Sequence, residues 1–143
     1  MDAQQRKRAP VALLTGRYST FNPANGVPVG ITVGRPRFPL SYRLAATIDE
    51  LAPFGLLYQH LKTEEFDQRY VRQLHRTGVA VIHDRLEEIA ERHGGPLVLL
   101  CFEDVHADQH CHRRTFARWW TERTGQPVPE AEAAQLTFDQ GSR

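Results

Sequence analysis

The chain is poor in lysine, cysteine and methionine. Lys7 and Lys62 are its two lysines against sixteen arginines, Cys101 and Cys111 are its two cysteines, and Met1 is its one methionine. Two cysteines in 143 residues are too few for a disulfide-built scaffold. No apolar run approaches the roughly 20 residues that span a bilayer, and the basic start Arg6-Lys7-Arg8 lacks the hydrophobic continuation of a secretory leader. The expectation is a cytoplasmic protein without a membrane partner. Net charge is also scarce: a formal +1 and a pI near 7.9 exclude the overall basicity by which many nucleic-acid-binding domains hold phosphate backbones. Any anion-binding surface must be local. The arginine excess suits bidentate recognition of phosphate or carboxylate, although genomic base composition produces the same bias. Internal repeats, low-complexity tracts and interdomain linkers are absent. At this length folding buries roughly two-thirds of the unfolded surface, so one self-sufficient core is expected.

Hydrophobic periodicity outlines the elements. Val11 to Thr15 and Val27 to Val33 read as strands, each followed by an arginine-bearing loop, Arg17-Tyr18 after the first and Arg35-Pro36-Arg37-Phe38 after the second. Leu44 to Leu51 has brief helical spacing that Pro53 and Gly55 end. Thr63 is a candidate N-cap for a helix with Phe66, Tyr70, Val71 and Leu74 on one face, closing at Gly78. Val79, Ile82, Leu86 and Ile89 recur at helical spacing in a second helix. The run Leu97-Val98-Leu99-Leu100 follows the Gly94-Gly95-Pro96 breaker and predicts a strand covered on both faces. A third helix follows Cys111 and stops at Gly125, with Trp119 and Trp120 as packing residues. Gln126 to Glu130 is extended by its prolines, and Ala131 to Phe138 suits either a short helix or a strand. Together these predict a single compact α/β domain over residues 11–130, its small, largely parallel sheet flanked by helices. Residues 1–10 would be a flexible tail and 131–143 an extension.

Leu97 to Arg114 is where chemistry concentrates, since two cysteines, acidic residues, three histidines and two arginines begin where the apolar strand ends. In open α/β sheets that strand-to-helix junction is where ligands sit. Leu100-Cys101, Glu103 and Cys111-His112-Arg113 make the chain resemble a family of uncharacterised bacterial and phage proteins, domain of unknown function 488. Gly34-Arg35-Pro36, Leu51-Ala52-Pro53, Glu65-Phe66 and Tyr70 extend the resemblance over Val11 to Glu130. It implies a compact α/β fold with a polar pocket at the Cys-Glu and Cys-His-Arg elements, and no particular reaction. Asp104, His106, Asp108 and His110 depart from the family signature.

Four chemistries compete for these residues. Main-chain N–H groups at the start of the third helix, with Arg113 and Arg114, suit an anion, although a salt bridge to Glu103 or Asp104 would also satisfy these arginines. Cys111 at a helix N-terminus suits a thiolate nucleophile. Successive helical residues diverge by about 100°, so His106 or His110 fits better than His112 as its base. Glu103 suits a nucleophile or general acid/base, while Cys101 also fits a plain buried thiol. Cys101, His106, His110, Cys111 and His112 are zinc-ligand types, but their spacing matches no zinc motif, so no metal is expected. Arg17, Tyr18, Arg35, Arg37 and Phe38 suit phosphate contacts and base stacking in a non-enzymatic nucleic-acid or adaptor module.

The expected site therefore has Glu103, Cys111 and His112 as catalytic candidates, with Arg17, Tyr18, Arg35, Cys101 and Arg113 as ligand contacts. No cofactor is implied. The reading is a pocket that binds or processes a nucleotide-like or other phosphate-bearing ligand, by Cys- or Glu-based transfer or hydrolysis if it is an enzyme. The alternatives are the non-enzymatic module and a zinc-dependent site.

Overall fold

The computed structural model describes residues 10–56, 61–102 and 111–131. Four parallel strands, β1 (Leu13–Arg17), β2 (Val27–Gly30), β3 (Ala46–Thr47) and β4 (Leu97–Cys101), form one sheet in the order β1-β4-β2-β3. Helices α1 (Thr63–Thr77), α2 (Val79–His93) and α3 (His112–Thr124) complete a single α/β domain. Among the described residues, no helix is long and apolar enough to cross a membrane.

The last strand in sequence is central in space, and that is why Leu97–Cys101 is uniformly apolar. All five residues are buried, as expected for a strand flanked by parallel neighbours and covered on both faces. Side chains alternate along a strand. Leu97 and Leu99 accordingly join Leu13, Val29 and the helical residues Tyr70, Leu74, Ile82, Leu86, Phe116 and Trp120 in the main core. Val98 and Leu100 face the other way, into a smaller cluster with Tyr18 and Ala131 that Phe21, Leu40, Tyr42 and Leu44 cover. One face of the sheet thus carries helices, the other mostly loops. The same alternation sends Cys101 towards the helices and Phe102 towards the loops.

The helices follow from amphipathic spacing and complementary ends. α1 has Glu64 and Glu65 in its first turn and His75 and Arg76 in its last, which suits the helix dipole. Its N-cap is Lys62, without a side-chain capping bond, rather than the expected Thr63, which lies inside the first turn. Gly78, at φ 90°, is the one residue between α1 and α2, and its N–H closes α1 on the Leu74 carbonyl at 2.8 Å. In α3, Trp119 and Trp120 are both buried, the latter stacked on Phe116 with centroids 5.6 Å apart.

Pairing overrides local spacing in several places. Leu44 to Leu51 is β3 followed by a 3-10 turn at Asp49–Leu51, not a short helix. The Ala45 N–H donates to the Pro28 carbonyl and the Ile48 N–H to the Gly30 carbonyl, both at 2.9 Å, so the backbone is committed to β2. β1 lies two residues later than the apolar run suggests, because its register pairs Leu13 with Leu97 and Arg17 with Cys101. β2 ends at Gly30 rather than Val33. The proline-extended segment returns along β1, where the Thr15 N–H donates to the Pro129 carbonyl at 3.0 Å and Glu130 bridges Thr15 in parallel. Ala131 is buried, and the rest of the 131–138 stretch lies outside the described residues.

Gly26 enters β2 at φ +147°, and a Cβ there would lie 2.4 Å from the Pro96 carbonyl oxygen. That oxygen accepts the first rung of the β2–β4 pairing from Val27 N–H at 2.8 Å. Gly26→Ala is expected to lower unfolding free energy by about 1–3 kcal/mol. The check is the urea midpoint at unchanged m-value.

Candidate functional site at the end of the central strand

Parallel strands in register end on the same edge, and here the sequence's three candidate segments meet. The Tyr18 N–H donates to the Cys101 carbonyl at 3.0 Å, and the Ile31 N–H donates to the Leu100 carbonyl at 3.1 Å. The start of α3 closes the helical side. Cys101, Cys111, His112 and Arg113 are brought together there, all buried, with the two cysteines joined as a disulfide.

Cys111 is the N-cap of α3 and has extended backbone, φ −138° and ψ 135°. The helical divergence that disfavoured a Cys111–His112 pair does not apply to a residue outside the helix. Cys111 Sγ lies 4.0 Å from His112 Nδ1. His106 and His110, the bases expected instead, lie outside the described residues, as does Glu103. His112 Nε2 is 2.6 Å from the Ile31 carbonyl oxygen. A carbonyl only accepts, so Nε2 carries a proton, and in the neutral ring Nδ1 is the basic nitrogen on the sulfur side. The Tyr70 ring meets His112 edge-on at 5.4 Å, and its hydroxyl donates to the Leu51 carbonyl at 2.6 Å. Complete burial pushes the Tyr70 phenol far above its ordinary range, so it stays a donor.

Arg113, expected either to contact an anionic ligand or to form a protein salt bridge, has a carboxylate partner in Glu130. It is fully buried, and its Nε donates to Glu130 Oε1 and Oε2 at 3.0 and 3.2 Å while Nη2 donates to Oε2 at 2.9 Å. Its Nη1 donates to Cys101 Sγ at 3.2 Å. Thr15 Oγ1 donates to Glu130 Oε1 at 2.8 Å and accepts from Arg114 Nη1 at 2.8 Å. Arg114 Nη1 also donates to the Val128 carbonyl at 2.9 Å. Glu130 was not singled out from the sequence. Its only signal is the extended Pro127-Val128-Pro129 run that leads back to β1. Burial by itself would raise the Glu130 carboxyl, but Arg113, Thr15 and Arg114 outweigh it and hold the pKa below the usual value.

The loop side is aromatic and arginine-bearing. Tyr18 is buried. Thr32 Oγ1 gives its proton to the Gly34 carbonyl at 2.8 Å, so the Tyr18 hydroxyl donates to Thr32 at 2.7 Å. Tyr18 is therefore no open stacking platform but a support for Phe102, whose ring centroid is 5.0 Å away. Phe102 is 39% exposed and Phe38 42%, with centroids 6.4 Å apart in an edge-on contact. Phe102 was missed as a candidate, although it stands between Cys101 and Glu103 and strand alternation turns it away from the core. Arg35 is exposed, Arg17 half-buried at the end of β1. Arg35, Pro36, Leu40, Tyr42, Arg43 and Leu44 line a hollow of about 570 Å³. Tyr42 joins it to the rest of the edge by donating to the Tyr18 carbonyl at 2.7 Å.

A family model described as Domain of unknown function DUF488 matches residues 40–120, more than half of the chain. The chain belongs to this family. The DUF488 match contains Leu51-Ala52-Pro53, Glu65-Phe66, Tyr70 and the Cys101-to-Arg113 elements, but Gly34-Arg35-Pro36 and Glu130 fall outside it. No curated protein and no solved structure matches the chain. Within the DUF488 segment, the Cys-His-Arg element makes three separate contacts: a disulfide at Cys111, a hydrogen bond to the Ile31 carbonyl at His112, and an ion pair at Arg113.

Glu130→Gln leaves the Arg113 guanidinium buried without its counter-charge, and is expected to cost about 3–5 kcal/mol. Because the folded-state pKa of Glu130 is lowered, its contribution is present above its unfolded value of about 4.3 and is lost as pH falls through the folded value. Denaturant unfolding between pH 7 and 3 checks both points. The wild type should lose this contribution on acidification, and Glu130→Gln should lack that part of the pH dependence.

Proposed function

We propose that this DUF488 protein binds a phosphate-bearing, nucleotide-like ligand at the C-terminal edge of its sheet, on the side of β4 opposite the helices. The observation that carries the reading is the exposed Phe38–Phe102 pair together with the Arg35- and Arg43-lined hollow, Phe38 standing in the chain between the lining residues Pro36 and Leu40. Exposed rings supply a stacking face for a base, and guanidinium groups supply bidentate donors for phosphate. The hollow falls within the roughly 300–1,000 Å³ of small-molecule sites, and its place at the strand ends is where parallel sheets take ligands. Arg35 remains a ligand contact in this reading, with Tyr18 acting through Phe102. Arg113 holds Glu130 and takes no part in contacting the ligand. Cys101, Cys111 and His112 flank the same strand end from the helical side and are the groups with chemistry to offer. A non-enzymatic nucleic-acid module would draw on the same rings and arginines.

Thermal-shift titration with nucleoside mono- and triphosphates, a short single-stranded oligonucleotide and inorganic phosphate tests this. Nucleotides should raise Tm more than phosphate does, since saturation at 100 Kd stabilises by about 2.7 kcal/mol. Arg35→Ala should weaken every response, whereas Phe102→Ala should remove the advantage of nucleotide over phosphate, about 1–3 kcal/mol for a stacked base. A response to the oligonucleotide alone favours the nucleic-acid module. No response to any of the set overturns the reading.

A further inference from the structure

Cys101 Sγ, Cys111 Sγ and a ring nitrogen of His112 lie within 4.8 Å of one another, all on buried residues. We propose that in the dithiol form these three side chains bind one soft divalent cation of the zinc class, and that the disulfide and the metal site are alternative states of the same two sulfurs.

Five observations carry the inference. The donor set, two thiolates and an imidazole, is a set that zinc prefers when three protein ligands leave one position open. The imidazole is already oriented as ligating histidines are, with Nε2–H fixed on the Ile31 carbonyl at 2.6 Å and Nδ1 directed to the sulfur side. Its 4.0 Å separation from Cys111 Sγ is close to the roughly 3.5 Å between a sulfur and a nitrogen ligand on one tetrahedral zinc. Arg113 Nη1 donates to Cys101 Sγ at 3.2 Å, and such an N–H bond stabilises a thiolate that carries charge to a metal. Finally, the Cα atoms of Cys101 and Cys111 are 7.3 Å apart. Disulfides usually span about 4.4–6.8 Å, whereas two thiolates on a common cation tolerate a wider separation.

The sequence argued against a metal because Cys101, His106, His110, Cys111 and His112 match no zinc spacing. The fold removes that objection. Cys101 is delivered by strand alternation, Cys111 by an extended N-cap and His112 by the first turn of a helix, so sequence spacing does not govern their geometry. The chemistry balances without a further oxidant. A thiol or phosphine reductant supplies two electrons, two protons convert the disulfide to two thiols, and cation binding releases those protons to solvent. The inference rests on the helical side of the strand end and stands apart from the nucleotide reading on the loop side.

The test uses the full chain, reduced with a phosphine, desalted anaerobically and titrated with Co²⁺ alone and then Zn²⁺ alone. One equivalent of Co²⁺ should give sulfur-to-cobalt charge-transfer absorption and the intense d–d bands of a tetrahedral site, and Zn²⁺ should displace it. The oxidised wild type should give neither signal. Cys111→Ser should abolish the charge-transfer band at one equivalent, and His112→Gln should weaken binding at least about tenfold. Absence of the thiolate band in the reduced wild type overturns the proposal, as does equal binding by reduced and oxidised protein, which would point to surface histidines. The redox comparison needs no variant, so it still decides the matter if a variant fails to fold. Metal binding with no nucleotide response would refute the proposed ligand and leave this site standing.

Discussion

The Arg113–Glu130 ion pair sits at the centre of the strand-end architecture, because it brings together side chains from four parts of the chain. Arg113 belongs to the first turn of α3, Glu130 to the segment that returns along β1, Thr15 to β1 itself and Cys101 to the end of β4. A guanidinium with no exposed surface is strongly destabilising unless a counter-ion offsets its buried charge. The carboxylate that supplies it also takes the Thr15 hydroxyl proton, and that hydroxyl accepts from Arg114. The basic first turn of α3 opposes the helix dipole, and this network is how the fold accommodates it.

Around that anchor the strand end divides its work between two faces. Adjacent residues Cys101 and Phe102 point to opposite sides of β4, so sulfur and imidazole chemistry is sealed among helices while aromatic and guanidinium groups meet solvent among loops. The described motif residues Cys101, Cys111, His112 and Arg113 are buried, whereas Phe102 on the other side of β4 is exposed.

The helices, the buried central strand and the parallel α/β class were legible from periodicity because each is written in local apolar spacing. β3 was not: two residues of strand carry no periodic signal, and the helical spacing of Leu44, Ile48 and Leu51 arises from side chains reaching the core out of a strand and a 3-10 turn. Of the site, Cys101, Cys111, His112 and Arg113 were legible as a cluster, but not their roles. The histidine partner depended on one backbone angle at Cys111, and the arginine partner on a carboxylate 17 residues away in sequence. Long-range polar pairing leaves no periodic trace, so Glu130 could be found only after the return path of the chain was known.

That return path also bears on the outer edges of the sheet. An open parallel sheet has two outer strands whose unpaired N–H and carbonyl groups can recruit strands from other molecules. Here one outer strand is β3, only two residues long, and the other, β1, is overlaid by Pro129 and Glu130. The prolines at 127 and 129 in that returning segment lack an N–H to offer a further strand. Among the described residues, the sheet thus ends on one side by brevity and on the other by a segment ill-suited to templating. The glutamate that neutralises the core arginine thus also lies along the outer edge of β1.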